Sequence, residues 1–195
     1  LVLAAAEYGA KKDDLDRTLP RVAELPFDSV RKRMTTVHRM PAADAEVPAV
    51  LRLLWERRSQ DVATPGFLAV TKGAVDGLLG VTRSLWVDGA LVPLDDDRRR
   101  GVMKAHDDLA AKGMRILGVA VRPVDHVPTG PELSGLETDL ILVGLFGLLD
   151  PARPEVTEAV ARCREAGIRT VMITGDHPLT AGHIARQVGI TESEE

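Results

Sequence analysis

Two prolines within four residues, in Asp150-Pro151-Ala152-Arg153-Pro154, divide this chain into stretches with different hydrophobic periods. Proline fixes φ and lacks an N–H, so a strand stops there and the backbone stiffens. Behind the break, Glu155–Ala166 and Pro178–Val188 have helical spacing, and each runs into a glycine suited to a left-handed cap, Gly167 and Gly189. Between them, Ile168–Ile173 is apolar on both faces and predicts a strand. Helix, two-faced strand, helix is the unit of a parallel α/β sheet. Ahead of the break, short strands joined by hairpins predict an antiparallel sheet. The expected fold class is therefore α+β: an antiparallel sheet flanked by helices, followed by a partial α/β segment. The expected domains are 1–149 and 150–195.

Local signals order the first part. Leu1–Tyr8 is Ala-rich and predicts a helix ending at Gly9, and Lys11–Arg17 is charged and expected to be solvated. Arg21–Leu25 and a second strand through Val37 flank a basic turn. Val47, Val50, Leu51, Leu54 and Trp55 fall at helical spacing, with Pro48 in the first turn. Phe67–Thr71 predicts a strand and Val75–Val81 a short helix. Ser84–Val87 and Ala90–Pro93 flank Asp88-Gly89, a strong hairpin signal. Asp95-Asp96-Asp97 opens a helix ending at Gly113; acids in a first turn suit the helix dipole, so no metal site is read there. Ile116–Val121 predicts a strand, Arg122–Glu137 a loop, and Asp139–Leu149 a long apolar strand.

Composition narrows the function classes. Of 195 residues, 45% are apolar and 28% charged, an ordinary globular mixture. A net charge of −4 provides no global basic field, so no nucleic-acid partner is expected. Cys163 is the single cysteine, which excludes an intrachain disulfide and fits a reducing compartment. The longest apolar run, Leu140–Leu149, is far shorter than the roughly 20 residues of a membrane-spanning helix. The opening Leu1-Val2-Leu3-Ala4 has no initiating Met and no basic region, so a soluble piece of a longer protein is expected there rather than a signal peptide.

Four places carry residues suited to chemistry. In Pro26-Phe27-Asp28-Ser29-Val30-Arg31-Lys32-Arg33-Met34 one ring adjoins three consecutive cations, as a flat anionic ligand requires; the plain alternative is a hairpin with a solvated basic rim. Lys72, at a strand end before Gly73-Ala74, suits a purine rim or phosphate, or is simply solvated. Arg115, after the Gly113 turn, suits a bidentate phosphate clamp or a surface ion pair. Thr174-Gly175-Asp176 sits at the carboxyl end of the two-faced strand, where α/β ligands bind, and the next helix aims free N–H groups there. The alternative is a β–α turn with Asp176 as N-cap. His177 has no second His or Cys at ligand spacing, so no metal is assigned.

In order along the chain, the Pro26–Met34 stretch, Lys72-Gly73-Ala74, Gly113-Met114-Arg115-Ile116-Leu117, Asp150-Pro151-Ala152-Arg153 and Met172-Ile173-Thr174-Gly175-Asp176 with Thr180-Ala181 resemble the cytoplasmic region of type II cation-transporting P-type ATPases. The resemblance implies a nucleotide-binding domain inserted into a phosphorylation domain of haloacid-dehalogenase type. It implies ATP or ADP as ligand, with Phe27 stacked on adenine, Lys32 and Lys72 lining the pocket, Arg115 on the phosphates and Leu117 beside base or ribose. It places Asp150 and Arg153 in the hinge, and Thr174, Gly175 and Asp176 at the γ-phosphate. Magnesium and the phosphorylation, actuator and membrane domains of the same pump are implied partners, at the cytoplasmic face of a membrane-embedded enzyme.

The departures are specific. No Asp-Lys pair occurs anywhere, so the Asp-Lys-Thr-Gly-Thr nucleophile motif is missing, as is the Gly-Asp-Gly magnesium motif. The acidic motif of the nucleotide pocket, expected just before the first helix, lies before Leu1 or is absent, and Ala152 replaces the second of two adjacent hinge prolines. Binding without turnover is the expectation. Two other classes compete: a haloacid-dehalogenase-type phosphatase with a large cap, which needs an Asp-x-Asp on an apolar strand that is not found, and a non-enzymatic nucleotide-binding module.

Overall fold

The computed structural model describes residues 2–41 and 66–191. The expected helix carrying Val47, Val50, Leu51, Leu54 and Trp55 lies outside the described residues. Helix α1 (Val2–Glu7) ends at Gly9, whose φ of +81° suits a residue without Cβ. Helix α2 (Lys12–Thr18) occupies the charged run expected to be solvated. None of its residues is buried; it rests on Asp13 and Asp14 in the first turn and on local pairs, Lys12 with Asp16 and Arg17 with Asp14.

Strands β1 (Arg21–Asp28), β2 (Arg33–Arg39) and β3 (Phe67–Gly73) follow, then helix α3 (Val75–Leu79). Strands β4 (Thr82–Val87) and β5 (Ala90–Pro93) turn at Asp88 and Gly89, with φ of +50° and +85°, the two left-handed residues of a tight hairpin. Helix α4 (Asp96–Ala110), strand β6 (Arg115–Val124), a 3-10 helix (Gly130–Glu137) and strand β7 (Leu140–Leu148) complete this part. After the proline break come α5 (Pro154–Glu165) and α6 (Pro178–Gln187).

The seven strands form one sheet in the order β1-β2-β3-β6-β7-β4-β5. Pairs β1/β2, β2/β3, β3/β6 and β4/β5 are antiparallel, as expected. Pair β4/β7 is parallel, because β5, α4 and β6 intervene as a crossover of the length parallel strands require. Register sets the faces. Thr35, Thr71 and Ala120 lie abreast and have no exposed surface, whereas Met34, Lys72 and Val119 lie abreast on the opposite face. Val37, Ala69 and Leu136 form a buried cluster with Phe67, Val124 and Leu133 packed against it, so the 3-10 helix covers the Thr35 face. Val75, Leu78 and Leu79 of α3 are also buried.

Contacts group the described chain into two compact units, 1–95 with 118–144 and 96–117 with 145–195. This grouping is not a simple cut at 149/150, since 96–117 joins the second unit. In the second unit, Gly167 and Gly189 end their helices with φ of +72° and +80°. The expected strand Ile168–Ile173 is not formed. Ile168, Val171 and Ile173 are 60%, 68% and 95% exposed. Two apolar faces are only half of what a parallel strand requires; it also requires neighbours for its N–H and C=O groups, and no described strand pairs with this segment.

Where β3 meets the β1–β2 turn, the backbones come very close. A Cβ on Gly73 would stand 2.4 Å from Arg33 Cβ and 2.6 Å from the Lys32 carbonyl oxygen. Gly73→Ala is therefore expected to cost about 1–3 kcal/mol of stability, read as a lower urea midpoint at unchanged slope. An unchanged midpoint would show that the turn yields freely.

Candidate functional site

The β1–β2 turn is tied down by its own backbone and by β3. Asp28 Oδ1 accepts from the Val30 and Arg31 N–H groups at 2.9 and 2.8 Å, and its carbonyl accepts from Lys32 N–H at 2.7 Å. Lys32 has a φ of +51°, uncommon for a side chain of its size. The Ala74 N–H donates to the Lys32 carbonyl at 3.0 Å, which the missing Cβ of Gly73 permits. Leu25 pairs with Thr35 and Asp28 with Arg33, so β1 carries one residue more than β2 between those pairs: a bulge at Pro26-Phe27. Phe27 is 63% exposed, and Lys32 and Lys72 are exposed. The first unit thus brings Phe27, Lys32 and Lys72 to one end of the sheet.

The basic triplet divides in a way its sequence does not show. Arg31 Nη1 and Arg33 Nε both donate to Glu137 Oε2, at 2.6 and 2.7 Å. Thr35 Oγ1 donates to Glu137 Oε1 at 3.0 Å and lies 2.9 Å from Thr71 Oγ1. The Glu137 side chain is 2% exposed. Two of the three cations expected to face an anionic ligand therefore face a carboxylate of their own chain, and Lys32 is left outward. Glu137 closes a segment read from sequence as loop, and its partners lie 102 to 106 residues away, a separation at which no local pattern gives a signal. Burial pushes the Glu137 carboxyl up, but the combined hydrogen bonds from Arg31, Arg33 and Thr35 outweigh it and hold the group below the usual carboxylate range.

The second unit holds the remaining expected residues. Arg115 meets Asp176 through two parallel bonds, Nε to Oδ1 at 2.8 Å and Nη2 to Oδ2 at 3.1 Å. The Thr174 hydroxyl donates to Asp176 Oδ2 and accepts from the Asp176 N–H, both at 3.0 Å. The Arg115 hydrogen bond is the main reason the Asp176 carboxyl lies below its ordinary range; the Thr174 bond assists against burial. The start of α6 is capped by His177, whose Nδ1 accepts from the Leu179 N–H at 3.4 Å, rather than by Asp176. Buried Thr180 donates to the Met114 carbonyl at 2.8 Å, tying α6 to the start of β6. Leu117 is half-buried, and Gly175, Asp150 and Arg153 are exposed, Arg153 at the N-cap of α5.

His177 does acquire a neighbour that sequence spacing hides. Its ring meets His106 edge-on at 4.8 Å, and with Asp107 the three offer ligand atoms within 4.8 Å of one another. Nitrogens around a tetrahedral zinc stand about 3.4 Å apart. Here His106 Nδ1 is taken up by Asp107 at 2.9 Å and His177 Nδ1 by the cap, so packing and capping account for the cluster.

Residues 1–155 match the family model of the P-type ATPase cytoplasmic domain N. The chain belongs to the cation-transporting P-type ATPases. Residues 125–194 also match the haloacid dehalogenase-like hydrolases. The chain is 33% identical over 192 residues to a calcium-transporting ATPase 1 of Bacillus cereus, covering 98% of this chain and 19% of the relative. It is 35% identical to a calcium-transporting ATPase of Bacillus subtilis, over 96% of this chain and 18% of that protein. Against a sodium/potassium-transporting ATPase subunit alpha-2 of Gallus gallus the identity is 34%, over 88% and 16%. This P-type ATPase chain therefore spans under a fifth of the length of these relatives. None of its described helices is long and apolar enough to cross a membrane.

The low carboxyl of Glu137 carries a pH signature. Its folded-state proton affinity is below that of the unfolded chain, where glutamate titrates near about 4.3. Its stabilisation is complete above that value and is lost as pH falls through the folded-state value. Glu137→Gln is expected to cost about 3–5 kcal/mol at neutral pH, because two arginines lose their partner, and to flatten the decline of stability below about pH 4.3. Denaturant melts across pH read both; an undiminished acid slope in the variant would refute the assignment.

Proposed function

We propose that this chain is the nucleotide-presenting region of a cation-transporting P-type ATPase. It binds ATP or ADP and holds the γ-phosphoryl group for attack by an aspartate outside this chain, with ADP as leaving group. In this reading Phe27 stacks on adenine, because an exposed ring on a bulge offers a free π face. Lys32 and Lys72 line the pocket as the outward cations at the same end of the sheet. Arg115 serves the phosphates, with Leu117 beside base or ribose. Thr174, Gly175 and Asp176 serve the γ-phosphate, and Asp150 and Arg153 form a hinge between domains 1–149 and 150–195. The observation that carries the proposal is the convergence of Phe27, Lys32 and Lys72 on one end of the sheet.

The Arg115–Asp176 bond bears on this reading. Both groups are proposed to meet phosphate, and in this structure each satisfies the other. A bidentate carboxylate occupies a guanidinium fork much as a phosphate does. Magnesium accompanies ATP in such enzymes; in this structure the Asp176 oxygens are bonded to Arg115 and Thr174, and Asp176 is not assigned as its ligand. No step of the proposal runs through the metal. The relatives are named for different ions, calcium and sodium/potassium, so the step they share is ATP handling rather than the ion. The remaining domains of the pump, at the cytoplasmic face of a membrane, are the proposed partners.

Calorimetric titration with ATP tests the proposal. Phe27→Ala and Lys72→Ala are each expected to weaken binding about tenfold, within the range for losing one stacked ring or phosphate contact. Both side chains are exposed, so melting temperatures are expected to stay near wild type. Steady turnover of ATP is expected to remain at background, because positioning without the nucleophile does not complete phosphoryl transfer. Unchanged affinity in both variants defeats the nucleotide reading, and turnover by the wild type defeats the division of labour.

A further inference from the structure

Glu137 reaches the turn through the two residues that flank Lys32. Arg31 and Arg33 share its Oε2, so both peptide neighbours of Lys32 are held by one buried atom. Arg31 has a second arm: its Nη2 donates to the Pro26 carbonyl at 2.8 Å, the peptide immediately before Phe27. That carbonyl belongs to the bulge, where the ladder is interrupted and the backbone is least constrained. The Asp28 bonds to Val30 and Arg31 shape the turn but do not reach Pro26.

We infer that Glu137 is a positioning residue for the nucleotide site, which through Arg31 and Arg33 fixes the places of Phe27 and Lys32 without touching the ligand itself. The inference rests on the nucleotide reading of that end of the sheet. It separates from electrostatics by sign. Removing a negative charge beside an anion site favours the anion by Coulomb attraction alone. Positioning demands the opposite: loss of Glu137 weakens the anion's binding. Arg31 acts as the link because its planar fork spans a carboxylate and a carbonyl at once, which a lysine ammonium does not reproduce.

The test compares wild type, Glu137→Gln, Arg31→Lys and Leu85→Ala. Leu85 is a core residue of β4 and serves as the control for stability loss alone. Each protein is titrated with ATP and, without ligand, its Phe27 and Lys32 backbone amide resonances are recorded. Glu137→Gln is expected to bind ATP at least about tenfold more weakly and to shift both amides. Arg31→Lys, which keeps the charge and breaks only the fork, is expected to do the same to a lesser degree, and it decides the matter if Glu137→Gln does not fold. Leu85→Ala is expected to lower the melting temperature while leaving affinity and both amides unchanged. Equal or tighter ATP binding by Glu137→Gln, or a matching affinity loss in Leu85→Ala, overturns the inference. If the wild type binds no ATP, the nucleotide reading fails while the two amides still report whether Glu137 positions them.

Discussion

Taking a carboxylate out of water costs several kcal/mol unless its oxygens find charged donors in good geometry, and at Glu137 they do. One oxygen takes two arginines, and the other takes the Thr35 hydroxyl, itself beside Thr71. Those bonds join the 3-10 helix to β2 and β3 on the face that also buries Val37 and Ala69. A hydrophobic core alone tolerates small slips of register at modest cost. A buried charge does not, since a shift by one residue leaves an arginine or a carboxylate unpaired. The β1–β2 turn therefore has one place to sit.

Close backbone approach works alongside that ion pair. Gly73 lets the carbonyl of Lys32 reach the N–H of Ala74, and Gly118 makes room for Leu78, whose Cδ2 would lie 2.8 Å from an added Cβ. The paired buried charge and the close approaches at Gly73 and Gly118 act on the same end of the sheet. The result is a site whose outward residues, Phe27, Lys32 and Lys72, carry almost none of the stability. In the proposed reading, stability and recognition therefore fall to different side chains at this end of the sheet. In the second unit the arrangement differs: Arg115 and Asp176 are recognition candidates that also satisfy each other.

Much of the fold was legible because its signals are local. The Asp88-Gly89 hairpin, the helix ends at Gly113, Gly167 and Gly189, and the strand positions ahead of Asp150 follow from turn chemistry and period, and they stand where expected. The misreadings share a cause. Ile168–Ile173 has the composition of a strand but no partner strand, and pairing is a property of two segments. The parallel β4/β7 pair was missed for the same reason, because direction depends on what lies between the strands. At the site, ring and cations were visible as residue types, whereas the division of the three cations between ligand and scaffold was not.

Sequence alone determined the family and most of the elements ahead of Asp150, since each depends on residue types in short, ordered motifs. Tertiary structure decided which charges are free. Arg31, Lys32 and Arg33 are equivalent as letters, and only the arrival of Glu137 from beyond β6 makes two of them structural and one available. His106 likewise meets His177 only because α4 and the start of α6 pack together. The physical reason is range: backbone preference and hydrophobic period act over a few residues, whereas the pairing of a buried charge depends on contacts brought together by the whole fold.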